Sequence, residues 1–224
     1  FIPITISEEM VSYMKNTHDF LKPIKSKILG PYCNGYESMI GYHESLKYCL
    51  EKFKERYGKS VKDFDHIAIH GGLCKVFVMN TFKKVAEWGN IDYEELKKKF
   101  VPSTIHGERI GGLYTASLFF SLHSLLEHTE DIKGKDILLF GYGSGSCSSL
   151  FSAHINDKPE NFSNLSVYLD NRVNISYDKL VDNHNRHSLM LNNGELTETF
   201  EKVNNTYYLN EYNYENNIRK YKLN

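Results

Sequence analysis

Two short segments of this 224-residue chain hold residue types that can do chemistry. The first is Phe64-Asp-His-Ile-Ala-Ile-His70, continued by Gly71-Gly72-Leu73-Cys74-Lys75. An imidazole titrates near neutrality, so His70 can hold or polarise a substrate group at physiological pH. The second is Gly141-Tyr-Gly143-Ser144-Gly145-Ser146, whose small residues leave backbone N–H groups open to a substrate oxygen. It matches neither a P-loop nor the G-x-G-x-x-G dinucleotide fingerprint. No G-x-S-x-G elbow precedes a helix either. A plain tight hairpin and an oxyanion-binding loop are both open readings. His70, taken alone, is equally readable as a structural group at a strand end.

These groups need elements to position them. His66 to Ile69 is an apolar run stopped by Gly71-Gly72, which predicts a strand with His70 at its C-terminal end. Open α/β sheets gather their ligands there. Val76, Phe77, Phe82, Val85 and Trp88 are spaced for one helical face, predicting a helix from Cys74 to Trp88. Upstream, the pattern predicts a strand over Phe1–Ile6, a short helix over Glu8–Asn16 and an extended turn at Asp19-Phe-Leu-Lys-Pro23. A long helix follows over Tyr36–Tyr57, stopped by Gly58. Downstream, a charged helix is expected over Asp92–Phe100, a buried helix over Gly111–His128, and paired strands over Asp136–Tyr142 and Cys147–Ile155. A helix near Tyr177–Leu191 and a strand near Thr206–Leu209 complete the reading. Alternating strands and helices make this an α/β layered fold, read as a single domain over residues 1–224.

Composition excludes several classes. With 27 basic and 28 acidic side chains the net charge is −1, which argues against a nucleic-acid partner. Lys97-Lys98-Lys99 follows Glu94-Glu95 and reads as a solvated helix face. No run reaches membrane-span length and the start lacks a signal-peptide pattern, so a cytoplasmic protein without a membrane partner is expected. Cys33, Cys49, Cys74 and Cys147 lack Cys-x-x-Cys spacing and read as reduced thiols. His66/His70 and His184/His187 have no partners at metal-site spacing, so no metal is expected. The abrupt opening, Phe1-Ile-Pro-Ile-Thr-Ile, suggests a fragment, a processed product or a trimmed chain.

Several segments, in order, resemble the C-terminal half of 3-hydroxy-3-methylglutaryl-CoA synthases, in the thiolase-like superfamily. They are Asp19-Phe20-Leu-Lys-Pro23, His70 with Cys74-Lys75, Gly111-Gly112-Leu-Tyr-Thr-Ala-Ser117, Phe140-Gly-Tyr-Gly-Ser-Gly-Ser146, and the ending Tyr208-Leu through Asn216-Asn-Ile-Arg-Lys-Tyr221. The resemblance spans nearly the whole chain. It implies the C-terminal half of a thiolase-like fold and a Claisen-type condensation of a cysteine-borne acetyl group with a β-ketoacyl thioester. A glutamate serves as acid and base in that reaction. By the same resemblance His70 binds and polarises the acceptor and the Ser144 backbone N–H supports the oxyanion. Asp19 orders the pocket, Gly112 stands beside the acceptor, and Lys75 meets the phosphates of CoA or a phosphopantetheine arm. No permanently bound cofactor is implied.

The departures matter as much. The family's nucleophilic cysteine and its glutamate lie in the N-terminal half, and none of the four cysteines here matches that position. The resemblance therefore implies a partner chain that supplies both groups, a higher oligomer, and an acyl carrier protein as a further candidate partner. The family's asparagine beside the histidine is Gly112 here, a lost donor worth about 1–3 kcal/mol if the oxygen stays buried. Its proline-aromatic pair is Gly72-Leu73, and a second lysine falls near Met79. Specialised acyl chemistry, such as β-branching of polyketide intermediates, is one expectation. A non-catalytic partner that shapes a condensing enzyme is the alternative.

Overall fold

A computed structural model of the chain describes residues 4–21, 31–71, 75–158, 164–193, 207–213 and 218–223. The chain divides into two compact units, one bounded by Phe1–Lys22 and Pro31–Asn171, the other by Pro23–Gly30 and Arg172–Asn224. In chain order, the first unit holds β1 (Ile4–Met14), β2 (Phe20–Leu21), β3 (Tyr32–Cys33) and α1 (Gly35–Tyr57). It continues through β4 (His66–Ile69), α2 (Lys75–Gly89), α3 (Tyr93–Thr104) and α4 (Ala116–His128). It closes with β5 (Asp136–Gly143), β6 (Cys147–Ile155) and α5 (Leu165–Asp170).

Strands β1, β6, β5 and β4 form one sheet in that spatial order. β4 and β5 are parallel, joined by a crossover that contains α2, α3 and α4, whereas β5 and β6 form an antiparallel hairpin. Side chains alternate across the strands as the pleat requires. Ile67, Ile69, Leu138, Phe140 and Leu150 pack on one face with Tyr42, Leu46 and Phe53 of α1, Phe82 and Val85 of α2, and Phe100 of α3. Ala68, Ile137, Leu139, Ala153 and Ile155 pack on the other with Leu118, Leu125 and Leu126 of α4. The sheet is therefore covered on both sides, which explains why β4 and the start of β5 read as continuous apolar runs.

Local signals set several boundaries. Asn34 caps α1 by accepting from Glu37 N, and Gly58 ends it at φ 69°, a left-handed turn that suits glycine. The helix expected over Glu8–Asn16 is instead the body of β1. It pairs with β6 from Ile4↔Ile155 to Met14↔Cys147, with a register shift between Ile6 and Met10. From Met10 to Met14, exposed Met10, Ser12 and Met14 alternate with buried Val11 and half-buried Tyr13, a period of two that only a sheet neighbour makes useful. The expected buried helix starts at Ala116 rather than Gly111, because Tyr114 adopts φ 51° and no helix runs through that conformation. α3 extends past Phe100 to Thr104, and α5 had no sequence signal strong enough to find it.

The second unit holds α6 (Tyr177–Asn193) and an antiparallel pair, β7 (Tyr207–Asn213) and β8 (Ile218–Leu223). β7 covers the expected final strand, except Thr206, which lies outside the described residues; β8 was not foreseen. Among the described residues no helix is long and apolar enough to cross a membrane.

Leu125 and Phe140 are both fully buried, one on each face of the sheet. Truncating either to alanine should lower unfolding free energy by about 3–5 kcal/mol, read from the shift of a chemical denaturation midpoint.

Candidate active site

His70 sits immediately after β4. Its N–H donates to Phe140 O at 2.8 Å, one step beyond the β4–β5 register, so the parallel ladder carries the imidazole to the C-terminal edge of the sheet. The strand end is then clamped from both faces. Tyr42 OH, from α1, donates to His70 O at 2.9 Å, and Ser121 Oγ, from α4, donates to Ile69 O at 2.9 Å.

A cleft of about 390 Å³ opens at this edge. His70, Gly112, Gly143 and Ser144 line it, with Phe20, Cys33, Ser38, Tyr42, Tyr114, Thr115 and Tyr142. Gly35 opens α1 and Thr115 immediately precedes α4, so the N-terminal ends of both helices reach the cleft. The helix dipoles make such ends favourable to negative charge, although Ala116 N and Ser117 N of α4 already donate to Leu113 O and Tyr114 O, and Glu37 N of α1 to Asn34 Oδ1.

Asp19 is completely buried behind the cleft. Its Oδ2 accepts from Ser38 Oγ at 2.8 Å and from Tyr142 OH at 3.2 Å, and its Oδ1 accepts from Gly145 N at 2.7 Å. One carboxylate thus ties α1 and β5 to the β5–β6 turn. That turn takes Gly145 and Ser146 through successive left-handed conformations, φ 84° and 56°. Ser146 Oγ is held by Thr17 Oγ1 at 2.9 Å and packs so close to α1 that a Cβ at Gly41 would collide with it. The hairpin reading and the substrate-loop reading of this segment are therefore compatible. The turn is tight, its Gly145 N–H is committed to Asp19, and Gly143 and Ser144 face the cleft.

Burial lowers the proton affinity of His70, so its imidazole is neutral at pH 7. Burial, reinforced by the Asp19 charge, pushes the Tyr142 hydroxyl up to about 12, and burial likewise raises that of Tyr42. Both phenols remain protonated donors. A neutral imidazole that donates from one ring nitrogen can stabilise negative charge growing on a carbonyl oxygen, whereas the Tyr42 and Tyr142 protons are already given to His70 O and Asp19 Oδ2.

Four of the five expected site residues come together: His70, Gly112 and Ser144 line the cleft, and Asp19 braces it. Lys75 does not line it. It is the first residue of α2, borders a separate narrow cavity with Gly71 and Ser121, and pairs with Glu108 at 2.7 Å. Gly72, Leu73 and Cys74, like Lys22 and Pro23, lie outside the described residues. Of the remaining cysteines, Cys33 and Cys147 are exposed and Cys49 is buried. Sequence reasoning missed Ser38, Tyr42 and Cys33, which have no local motif. It also passed over Tyr142, although that residue lies inside the glycine segment already singled out. Tyr114 was missed too; its ring meets that of Phe20 at a centroid distance of 5.9 Å on the cleft lining.

Residues 81–224 match the hydroxymethylglutaryl-coenzyme A synthase C-terminal family. The chain belongs to that family. A hydroxymethylglutaryl-CoA synthase of Enterococcus faecalis is 28% identical over 177 residues, covering 77% of this chain and 46% of the relative. The chain spans about half the length of the curated relatives it matches. Among solved structures, MvaS in complex with 3-hydroxy-3-methylglutaryl coenzyme A superposes with a TM-score of 0.78 at 19% identity, over 98% of this chain and 58% of that one. The HMG synthase of the curacin biosynthetic pathway in complex with holo donor-ACP superposes at 0.68 and 19% identity, over 78% and 44%. At such identities these likenesses establish the fold, the C-terminal half of a thiolase-like HMG-CoA synthase.

Two outcomes are expected. Asp19→Ala should lower stability by about 1–3 kcal/mol, and combining it with Ser38→Ala or Tyr142→Phe should add little, because the pairs share one network; denaturation of the single and double variants measures this. An unfolded histidine protonates near pH 6.5 while folded His70 resists, so the unfolded chain binds the extra proton and stability falls as pH drops below about 6.5. His70→Gln should flatten part of that slope in denaturation profiles taken from pH 8 to about 5.

Proposed function

We propose that this chain is the acceptor-binding half of a hydroxymethylglutaryl-CoA synthase-like acyltransferase, which condenses an acetyl group with a β-ketoacyl thioester. The observation that carries the reading is the convergence of neutral His70, the Gly143-Ser144 turn and two helix N-termini on one cleft. His70 donates to the thioester oxygen of the acceptor and polarises it. The Ser144 backbone N–H supports the oxyanion, and Asp19 keeps the turn in place.

In the full reaction an acetyl group on a cysteine loses a methyl proton to a glutamate. The resulting carbanion attacks the acceptor ketone, a carbon–carbon bond forms, and the alkoxide takes the proton back. An N-terminal-half chain supplies the cysteine and the glutamate. Val76 on α2 and Phe119 on α4 are 68% and 65% exposed, which is consistent with apolar surface left for a partner.

The thioester is carried by CoA or by a phosphopantetheine arm on an acyl carrier protein. The curacin pathway synthase in its donor-ACP complex supports the second by analogy. Lys75 contributes a cation for the phosphates. Its pair with Glu108 is exposed and worth about 0.2–1 kcal/mol, so a phosphate can displace the carboxylate.

Gly112 favours a second reading, a non-catalytic subunit that shapes a condensing enzyme, because the position offers no side chain to the acceptor. Co-expression with the N-terminal half separates these readings. The proposal requires a heteromer by size exclusion and mass measurement, and a stable monomer of 26.0 kDa that does not join the other half would sink it. In the assembled protein, His70→Ala should lower kcat/KM by at least about 100-fold. Unchanged turnover with intact assembly would favour the scaffolding role.

A further inference from the structure

Three histidines and a glutamate gather at the end of α4 remote from the cleft. His106, just after α3, is completely buried, and its Nε2 lies 2.9 Å from Glu127 Oε2. His123, one turn earlier on α4, places Nδ1 3.6 Å from the same oxygen. The His128 ring stands 4.9 Å from that of His106, at 69°. One donor atom each from His106, Glu127 and His128 lies within 4.8 Å of the others. Modest rotamer adjustment would close that spread to the roughly 3.3 Å between ligands around a tetrahedral zinc ion.

Two details go beyond proximity. His128 Nδ1 donates to Ser124 O at 2.8 Å, which leaves its Nε2 with a free lone pair, the pattern by which a backbone carbonyl orients a metal-ligating histidine. His106 Nδ1 is buried and has no hydrogen-bond partner among the described residues. Glu127 also accepts from Leu165 N at 2.9 Å and Ser166 N at 3.1 Å, which open α5. A group bound here would join the ends of α3, α4 and α5.

We propose that His106, Glu127 and His128 form a site for a zinc-class divalent cation. Imidazole and carboxylate donors suit zinc better than magnesium or calcium, which prefer all-oxygen shells. The ion takes the place of the proton now shared between His106 Nε2 and Glu127 Oε2. His128 lies thirteen residues along α4 from Thr115 on the cleft lining, about 20 Å of helix, so the ion stands apart from that end of the cleft and acts by fastening α5 to the layer beneath it.

The test uses the untagged full chain stripped with a chelator, titrated with zinc chloride by calorimetry and with cobalt chloride by visible absorption. One equivalent of zinc should bind, cobalt should show the intense bands of a tetrahedral site, and the melting temperature should rise. His128→Ala should weaken zinc binding at least 100-fold while circular dichroism stays unchanged; His128→Gln serves if the alanine variant does not fold. No saturable binding by the wild-type chain, or binding undiminished in the folded His128 variant, overturns the proposal.

Discussion

The carboxylate of Asp19 enters the interior with no cationic partner among the described residues, and a buried charge is tolerated only when donors surround it. Three donors do so here: a serine hydroxyl from α1, a tyrosine hydroxyl from β5 and a backbone N–H from the β5–β6 turn. Each belongs to a different element. The requirement to satisfy one charge therefore fixes where α1 stands relative to the sheet, and it holds the turn in a left-handed conformation that nothing local would enforce. The cleft is the space left between these elements once that network has formed.

Within this frame the chemistry is concentrated at one edge. The parallel pairing of β4 and β5 delivers His70, and hydrogen bonds from α1 and α4 hold the strand end from either side. Burial holds the proton affinity of the imidazole below its ordinary value. Small residues do the remainder. Gly41 lets α1 meet the turn, and Gly143 keeps the loop beside the cleft free of side chain.

The opposite end of α4 is built differently. Its ionisable groups are linked to one another, and Glu127 is held near a pKa of about 2: burial opposes ionisation, but hydrogen bonds from Ser166, His106 and Leu165 outweigh it. One helix thus begins at the cleft and ends in a cluster of ionisable groups. That cluster secures α5.

Much of this was legible along the chain. The apolar run ending at His70, the stripe of α1 with its glycine stop, and the β5–β6 hairpin are local signals, because short-range packing periodicity and turn chemistry specify them. The order of Asp19, His70, Gly112 and the Gly141–Ser146 segment was enough to indicate a family and to name four residues that line or brace one cleft. Other features depend on neighbours far apart in sequence. Glu8–Asn16 became a strand because β6 offered it a partner edge, and Tyr42 joined the site because its hydroxyl reaches His70 O across 28 positions. Lys75 paired with Glu108 rather than lining the cleft, and His106 met Glu127 and His128, only because the crossover between β4 and β5 folds back on itself. Spacing can announce which side chains a helix or strand presents; which of them meet is settled by how the layers stack.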